Sequence, residues 1–141
     1  MRATDKHPRV EVQVGYAADR RGAGIGYARL RTAAGDRLLR VPFSVQRFAG
    51  MDDREVGYAA MTALSSYMRD RGIMRATFYL SDPRLIDDVQ QRRDVPPPIA
   101  LPYIRLGCAL NRFESYELHC SHEGDDLTQR AVAELTLHHA A

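Results

Sequence analysis

Residues 10–45 read VEVQVGYAADRRGAGIGYARLRTAAGDRLLRVPFSV, and their pattern predicts a β-sheet at the start of the chain. Apolar and polar residues alternate from Val10 to Val14, which is the period of a half-buried strand. The alternation returns over Ile25–Thr32 and again over Leu39–Val45. Turns containing glycine separate the three runs, so the pattern predicts a meander of three antiparallel strands. Proline cannot donate a ladder hydrogen bond, and Pro42 therefore predicts that the third strand lies at an edge of the sheet.

The rest of the chain alternates helices with strands. Apolar residues recur at helical spacing in a buried stripe made of Val56, Ala59, Ala60, Ala63, Leu64 and Tyr67. Asp52 or Asp53 caps the start of this helix, and Gly72 ends it. Further helices are predicted over residues 81–91, 101–113 and 127–137, and further strands over 74–80 and 116–120. Strand–helix–strand connections require parallel pairing, so we predict a mixed five-stranded α/β sheet flanked by helices.

Length and composition are typical of a soluble globular protein. The chain has 141 residues, of which 45% are hydrophobic and 27% charged, and its net charge of +2 creates no large basic field. No apolar run approaches the roughly 20 residues that cross a bilayer, and the polar N-terminus does not resemble a secretory signal. We expect a cytoplasmic protein with a disordered or extended stretch over residues 1–9 and a single domain over 10–141. Cys108 and Cys120 form no CxxC pair and are expected to be buried thiols.

Several short strings, taken in order, resemble the ribonuclease H family from Val10 to Leu137. They are Val10-Glu-Val, Gly24-Ile-Gly26, Asp53-Arg54 with Ala59–Leu64, Leu80-Ser-Asp82, Arg105-Leu with Ala109-Leu110, and His122-Glu-Gly124. The resemblance implies the ribonuclease H-like fold. It also implies cleavage of the RNA strand of an RNA–DNA hybrid by two magnesium ions about 4 Å apart, held by four carboxylates.

The four carboxylate positions can be carried over to this sequence one by one. They fall on Gly15 in the first strand, Val56 in the first helix, Asp82 after the fourth strand, and a position near Arg130 in the last helix. Asp82 alone is acidic. One carboxylate cannot hold two divalent ions against water, so the resemblance implies a degenerate member that has lost metal-dependent cleavage.

A shift in register would supply other ligands, and this alternative stays open. Glu55 lies beside Val56, and Asp125 and Asp126 lie near the last position. A divergent magnesium-dependent hybrid endoribonuclease would use Asp82, Glu55 and one of these two aspartates. On a helix, however, one position is a rotation of about 100°, and Val56 is the residue in phase with the buried stripe.

His122 matches the mobile histidine that assists turnover in the family, and the alternative is a polar loop residue with local hydrogen bonds. Possible remnants of catalysis are therefore Asp82, Glu55, His122 and Asp126. The cluster of His119, Cys120 and His122 is not expected to bind a metal, because strand alternation sends His119 and Cys120 to opposite faces. Asp82 would be the ligand of any metal ion.

Nucleic-acid contacts are predicted at three arginines. Arg20 and Arg21 lie in the turn after the first strand, where they could contact a phosphate backbone, and Arg54 follows at the first helix. The family's asparagine pair before this helix is replaced by Asp52 and Asp53, which repel phosphates.

Three functions follow from these observations. The first is a binding or assembly module that has lost nuclease activity, with RNA, DNA or an RNA–DNA hybrid, or a protein, as its partner and no cofactor. The second is the divergent nuclease, which alone would need Mg²⁺. The third is a protein-interaction domain, including a homodimer that pairs through the third, edge-like strand.

Overall fold

The computed structural model describes residues 7–91 and 94–140, with side chains up to residue 137. Residues 1–6, which belong to the stretch expected to be disordered or extended, lie outside the described residues. The strands are β1 (Arg9–Ala18), β2 (Ala23–Thr32), β3 (Gly35–Ser44), β4 (Arg75–Leu80) and β5 (Ser115–Cys120). The helices are α1 (Arg54–Asp70), α2 (Pro83–Gln91), α3 (Ala100–Leu110) and α4 (Asp125–Ala140). Across the sheet the strands follow the order β3-β2-β1-β4-β5.

The first three strands form the predicted antiparallel meander. Leu30 of β2 lies opposite Val12 of β1 on one side and Arg37 of β3 on the other. Within the described residues β3 has a neighbour on one side only, so the edge position predicted from Pro42 is confirmed. The Val45 N–H donates to the Gly22 carbonyl oxygen at 2.9 Å. Because ladder bonds alternate along a strand, the Pro42 nitrogen points away from β2, where no donor is needed.

The last two strands pair in parallel, as the strand–helix–strand connections predict. Phe78 of β4 lies beside Val12 of β1 and beside Leu118 of β5. The connection from β3 to β4 runs through α1, and the connection from β4 to β5 runs through α2 and α3. The carboxyl ends of β1 and β4 therefore meet at the same edge of the sheet, beside the start of α1.

The two faces of the sheet are covered by different helices. One face contributes Val12, Val14 and Phe78 to the main core, which α1, α2 and α3 complete. On the other face, Ile25 and Tyr27 pack against Leu127 and Ala131 of α4 in a smaller cluster. Successive residues of a strand point to opposite faces, so each residue of β1 contacts either the α1 layer or the α4 layer.

Some details differ from the sequence-based expectations. A 3-10 turn over Pro97–Ile99 precedes α3, which ends at Leu110 rather than at Phe113. Cys108 and Cys120 are exposed, so the prediction of buried thiols was wrong. Cys108 lies on the surface of α3, and Cys120 lies at the exposed end of β5. Asp53 stands at the start of α1, but its side chain makes no capping hydrogen bond. Among the described helices, none is both long enough and apolar enough to cross a membrane.

Candidate functional site

A pocket opens at the carboxyl ends of β1 and β4, beside the start of α1. Asp82, two residues beyond the end of β4, lines this pocket together with Tyr16, Val56 and Val132 of the surrounding elements. Asp82 Oδ1 also accepts a hydrogen bond from the Leu85 backbone N–H at 3.3 Å. Asp82 therefore caps the start of α2.

The resemblance places the first-strand acid at Gly15, and the packing of α4 explains why this residue has no side chain. An ideal Cβ at Gly15 would lie 2.3 Å from the Thr128 backbone nitrogen and 2.7 Å from the Leu127 carbonyl carbon. Gly124 makes a similar contact, since a Cβ there would lie 2.7 Å from the Val14 carbonyl oxygen. The main chain at the start of α4 therefore rests directly on the main chain of β1. No side chain fits at residue 15 in this arrangement.

Two adjacent residues at the start of α1 have different surroundings. Val56, where the resemblance places the first-helix acid, lines the pocket with Asp82. Glu55 is fully buried but is not among the residues that line the pocket. Its Oε2 accepts hydrogen bonds from Arg47 Nε at 3.1 Å and from the Phe48 backbone N–H at 2.9 Å. Through these hydrogen bonds Glu55 links α1 to the segment after β3 that contains Arg47 and Phe48.

Sequence reasoning missed Tyr16, which lines the pocket. The Tyr16 hydroxyl oxygen and Asp82 Oδ2 both approach Gly57, at 2.9 and 3.3 Å from the place where a Cβ of Gly57 would be. Burial raises the pKa of the Tyr16 phenol, and the negative charge of Asp82 raises it further. The phenol is therefore neutral at physiological pH. Tyr16 continues the alternation of Val12 and Val14, so the period of two was the signal that could have found it.

Two more carboxylates line the pocket, and both are already paired. Asp52 Oδ2 lies 3.2 Å from Arg84 Nη1, and Asp53 forms an ion pair with Arg47. Both aspartates adopt left-handed backbone angles, with φ of 52° and 62°, which aspartate tolerates better than most residues. Throughout the described part of the chain, no three His, Cys, Asp or Glu side chains are grouped so that they could hold a metal ion.

Comparison with protein-family models and with curated proteins gives no match to this sequence. Solved structures do match the fold. RNase H1 of the halophilic archaeon Halobacterium salinarum has a TM-score of 0.65 at 14% identity, over 89% of this chain and 93% of that one. The N-terminal RNase H domain of rv2228c from Mycobacterium tuberculosis has a TM-score of 0.62 at 12% identity, over 88% and 95%. LC11-RNase H1, solved in complex with an RNA/DNA hybrid, has a TM-score of 0.59 at 9% identity, over 88% and 91%. The chain has the ribonuclease H fold.

The residues at this pocket of the ribonuclease H fold do not fit a pair of magnesium ions. Hard divalent ions need several oxygen ligands each, and a two-metal centre needs carboxylates shared between them. Among the acids that line the pocket, Asp82 forms no ion pair within the described residues. Asp52 and Asp53 are each paired with an arginine, so their negative charges are already neutralised. Gly15 and Val56 supply no oxygen from a side chain.

The remaining candidate acids and His122 have partners of their own. Asp126 forms an ion pair with Arg29, and the hydrogen bond from Arg29 lowers the pKa of Asp126. His122 Nδ1 lies 3.3 Å from Asp125 Oδ2, and 76% of the His122 side chain is exposed. The structure therefore does not bring Glu55, Asp126 and Asp82 together as one ligand set.

The strand pair His119 and Cys120 shows the expected alternation. His119 stacks on Tyr79 with ring centroids 5.6 Å apart, and its Nε2 lies 3.0 Å from Glu117 Oε1. Tyr79 and Glu117 share the sheet face of His119, so Cys120 points to the opposite face.

The three candidate arginines differ in availability. Arg20 and Arg21 are exposed and line a shallow pocket with Arg47 at the β1–β2 turn. Asp19 Oδ1 shapes this turn by accepting hydrogen bonds from the backbone N–H groups of Arg21 and Ala23, at 2.9 and 3.0 Å.

Arg54 instead packs inward. Its Nη1 lies 3.6 Å from Asp88 Oδ2, and Asp88 also accepts a hydrogen bond from the Tyr58 hydroxyl. Because this ion pair is largely buried, Arg54 has little freedom to meet a ligand.

Proposed function

We propose that this ribonuclease H-fold domain does not cleave RNA by two-metal chemistry and instead binds a nucleic-acid backbone, with Arg20 and Arg21 as its main contacts. The loss of two-metal cleavage is supported mainly by the contact of α4 with Gly15, which leaves no space for a carboxylate on the first strand. That acid would stand at the centre of the metal site. Without it, Asp82 is a capping residue with one spare oxygen rather than part of a ligand set.

The second half rests on the charges around the β1–β2 turn. Within the described residues neither Arg20 nor Arg21 forms a side-chain ion pair, so both guanidinium groups are available to phosphate. Arg47 sits beside them, but it is engaged with the Asp19 carbonyl oxygen at 2.8 Å and with Glu55 at 3.1 Å. Arginine forms bidentate hydrogen bonds with phosphate oxygens, which suits a contact that reads backbone rather than bases. The RNA/DNA hybrid bound by LC11-RNase H1 supports the choice of ligand.

The test measures cleavage and binding on the same labelled RNA–DNA hybrid. We expect no cleavage with Mg²⁺ and salt-sensitive binding, because each phosphate contact releases counterions. Arg20→Ala with Arg21→Ala should weaken binding roughly tenfold and reduce the salt slope by about one to two. Arg112→Ala is the matched control, since Arg112 pairs with Asp70 at the opposite end of α1.

Two results would overturn the proposal. Magnesium-dependent cleavage that disappears in Asp82→Asn would establish the divergent nuclease, with Asp82, Glu55 and Asp125 or Asp126 as its candidate ligands. Binding that is absent, or insensitive to salt and to the loss of both arginines, would remove the nucleic-acid function and favour a protein partner.

A further inference from the structure

A groove of about 400 Å³ lies between α1, α3 and the chain that leaves β3. From α1 it is lined by the small residues Ala59, Thr62, Ala63 and Ser66. Phe43, Val45 and Phe48 contribute one apolar wall, and Pro98, Leu101 and Pro102 contribute the other. Asp82 and the arginines of the β1–β2 turn are not among the residues that line this groove, although Arg21 lines an adjoining pocket with Ser44, Val45 and Gln46. The proposed contacts with nucleic acid therefore lie beside the groove rather than in it.

Exposed apolar side chains continue the groove across α3. Leu101 is 54% exposed and Ile104 is 56% exposed, and they lie three residues apart on the outer side of the helix. Leu101 lines the groove and Ile104 lies about one turn further along α3, so the two side chains extend the apolar lining onto the outer surface of the helix. A pocket-sized molecule could fill the groove but would leave Ile104 in water. The patch therefore favours a macromolecular partner that covers both features.

The shape of the groove favours a helix as this partner. The lining residues of α1 have the spacing i, i+3, i+4 and i+7, so the groove follows the axis of α1 for about 10 Å. This length accommodates roughly two turns of a second helix. Small side chains on α1 let an incoming helix approach closely, while the aromatic and proline side chains on both sides can pack against its apolar face.

Charge identifies which helix fits. Among the described residues that line the groove, Arg105 is the only charged one, and it forms no ion pair in the described part of the chain. The groove has no acidic lining residue of its own, so a second copy docked groove to groove would bring no carboxylate from this surface to Arg105. We infer that the groove binds an amphipathic helix of another protein, whose apolar face packs on Ala63 and Leu101 and whose acidic residue pairs with Arg105.

The probe is a fluorescein-labelled synthetic helix with leucines at i, i+3, i+4 and i+7 and glutamates beside them, and binding is followed by anisotropy. A matched peptide carries lysines in place of the glutamates. We expect the acidic peptide to bind better than the basic one. The double variant Leu101→Ser with Ile104→Ser should bind the acidic peptide at least about tenfold more weakly, because it removes the apolar contacts. Leu137→Ser, at an exposed leucine of α4, is the control and should bind as the parent does.

Charge reversal at Arg105 distinguishes a specific ion pair with the peptide from non-specific hydrophobic binding. Arg105→Glu should weaken the acidic peptide and strengthen the basic peptide, each by about fivefold. Equal binding of both peptides with no response to Arg105→Glu, or no binding of either peptide, would overturn the inference. So would a dimer of the parent protein in sedimentation that Leu101→Ser with Ile104→Ser dissolves, because a second copy would then cover the groove. Loss of hybrid binding in the same double variant would also overturn it, since the groove would then belong to the nucleic-acid surface.

Discussion

Gly15→Ala directly perturbs the contact between β1 and α4. Gly15 does not adopt a left-handed backbone angle, so alanine fits its backbone conformation. Because alanine lowers the conformational entropy of the unfolded chain, this effect alone would stabilise the protein by about 0.4–1 kcal/mol. The new methyl carbon, however, would lie 2.3 Å from the Thr128 nitrogen, whereas ordinary contact begins at 3.4 Å. The obstacle is backbone, which cannot rotate aside, so α4 must shift and disturb the packing of buried Leu127 and Ala131. Overpacking of this kind costs about 1–3 kcal/mol, and we expect a net loss in that range.

Urea unfolding followed by circular dichroism measures this loss, and a thermal scan should show a fall in Tm of roughly 2–10 °C. Gly107→Ala is the matched control: it lies within α3, and its new Cβ would meet nothing within 4 Å. Removing a glycine from a helix interior should stabilise the protein by about 0.5–1 kcal/mol, so the two variants should change stability in opposite directions. A Gly15→Ala variant as stable as the parent would refute the argument from packing. Gly15→Asp should lose stability as well and gain no magnesium-dependent cleavage.

Two further predictions concern buried or paired carboxylates. Glu55→Ala removes the carboxylate that accepts hydrogen bonds from Arg47 and the Phe48 backbone N–H. It should lower the free energy of unfolding, measured in urea titrations, by about 2–4 kcal/mol. A change within experimental error would show that these hydrogen bonds do not stabilise the contact between α1 and the segment after β3. Glu134 accepts hydrogen bonds from Arg40 and Tyr27, which lower its pKa to about 2 from the ordinary 4.5. A carboxylate with a depressed folded-state pKa stabilises above its unfolded pKa and stops doing so as pH falls through the folded value. The stability advantage of the parent over Glu134→Gln should therefore be complete above about pH 5 and shrink between pH 4.5 and 2, and a difference independent of pH would contradict this.

The regular part of the fold was predictable because it depends on periods that short segments reveal. The alternation of Val10, Val12 and Val14 correctly identified β1, and the strand–helix order correctly required the last two strands, β4 and β5, to be parallel. The parallel pairing of β1 with β4 was not predicted. Pro42 identified the edge strand because proline has no N–H to donate to a neighbouring strand, which an edge strand tolerates and a central strand does not. Asp82 was placed correctly after β4 from the string Leu80-Ser-Asp82, which follows the apolar run of that strand.

The surroundings of the pocket could not be predicted in the same way. The burial of Glu55 depends on Arg47 and on the Phe48 N–H, which belong to an irregular segment with no period to read. The sequence shows a glycine at residue 15, but the reason for it lies in α4, more than a hundred residues later, and appears only when the two main chains are seen in contact. Arg54 was predicted to contact nucleic acid, but it pairs with Asp88 of α2, which is distant in sequence, so no local pattern reveals the ion pair.

The edge strand has a consequence for the behaviour of this protein at high concentration. A ten-residue edge is a template on which a foreign strand can add, which is how fibres and swapped oligomers grow. With the Pro42 nitrogen facing outward, an incoming strand meets a gap in the row of hydrogen-bond donors. Exposed Arg37 adds a positive charge to the same strand, whereas Arg40 is paired with Glu134. The proline and Arg37 thus oppose the addition of a foreign strand to the open side of the sheet.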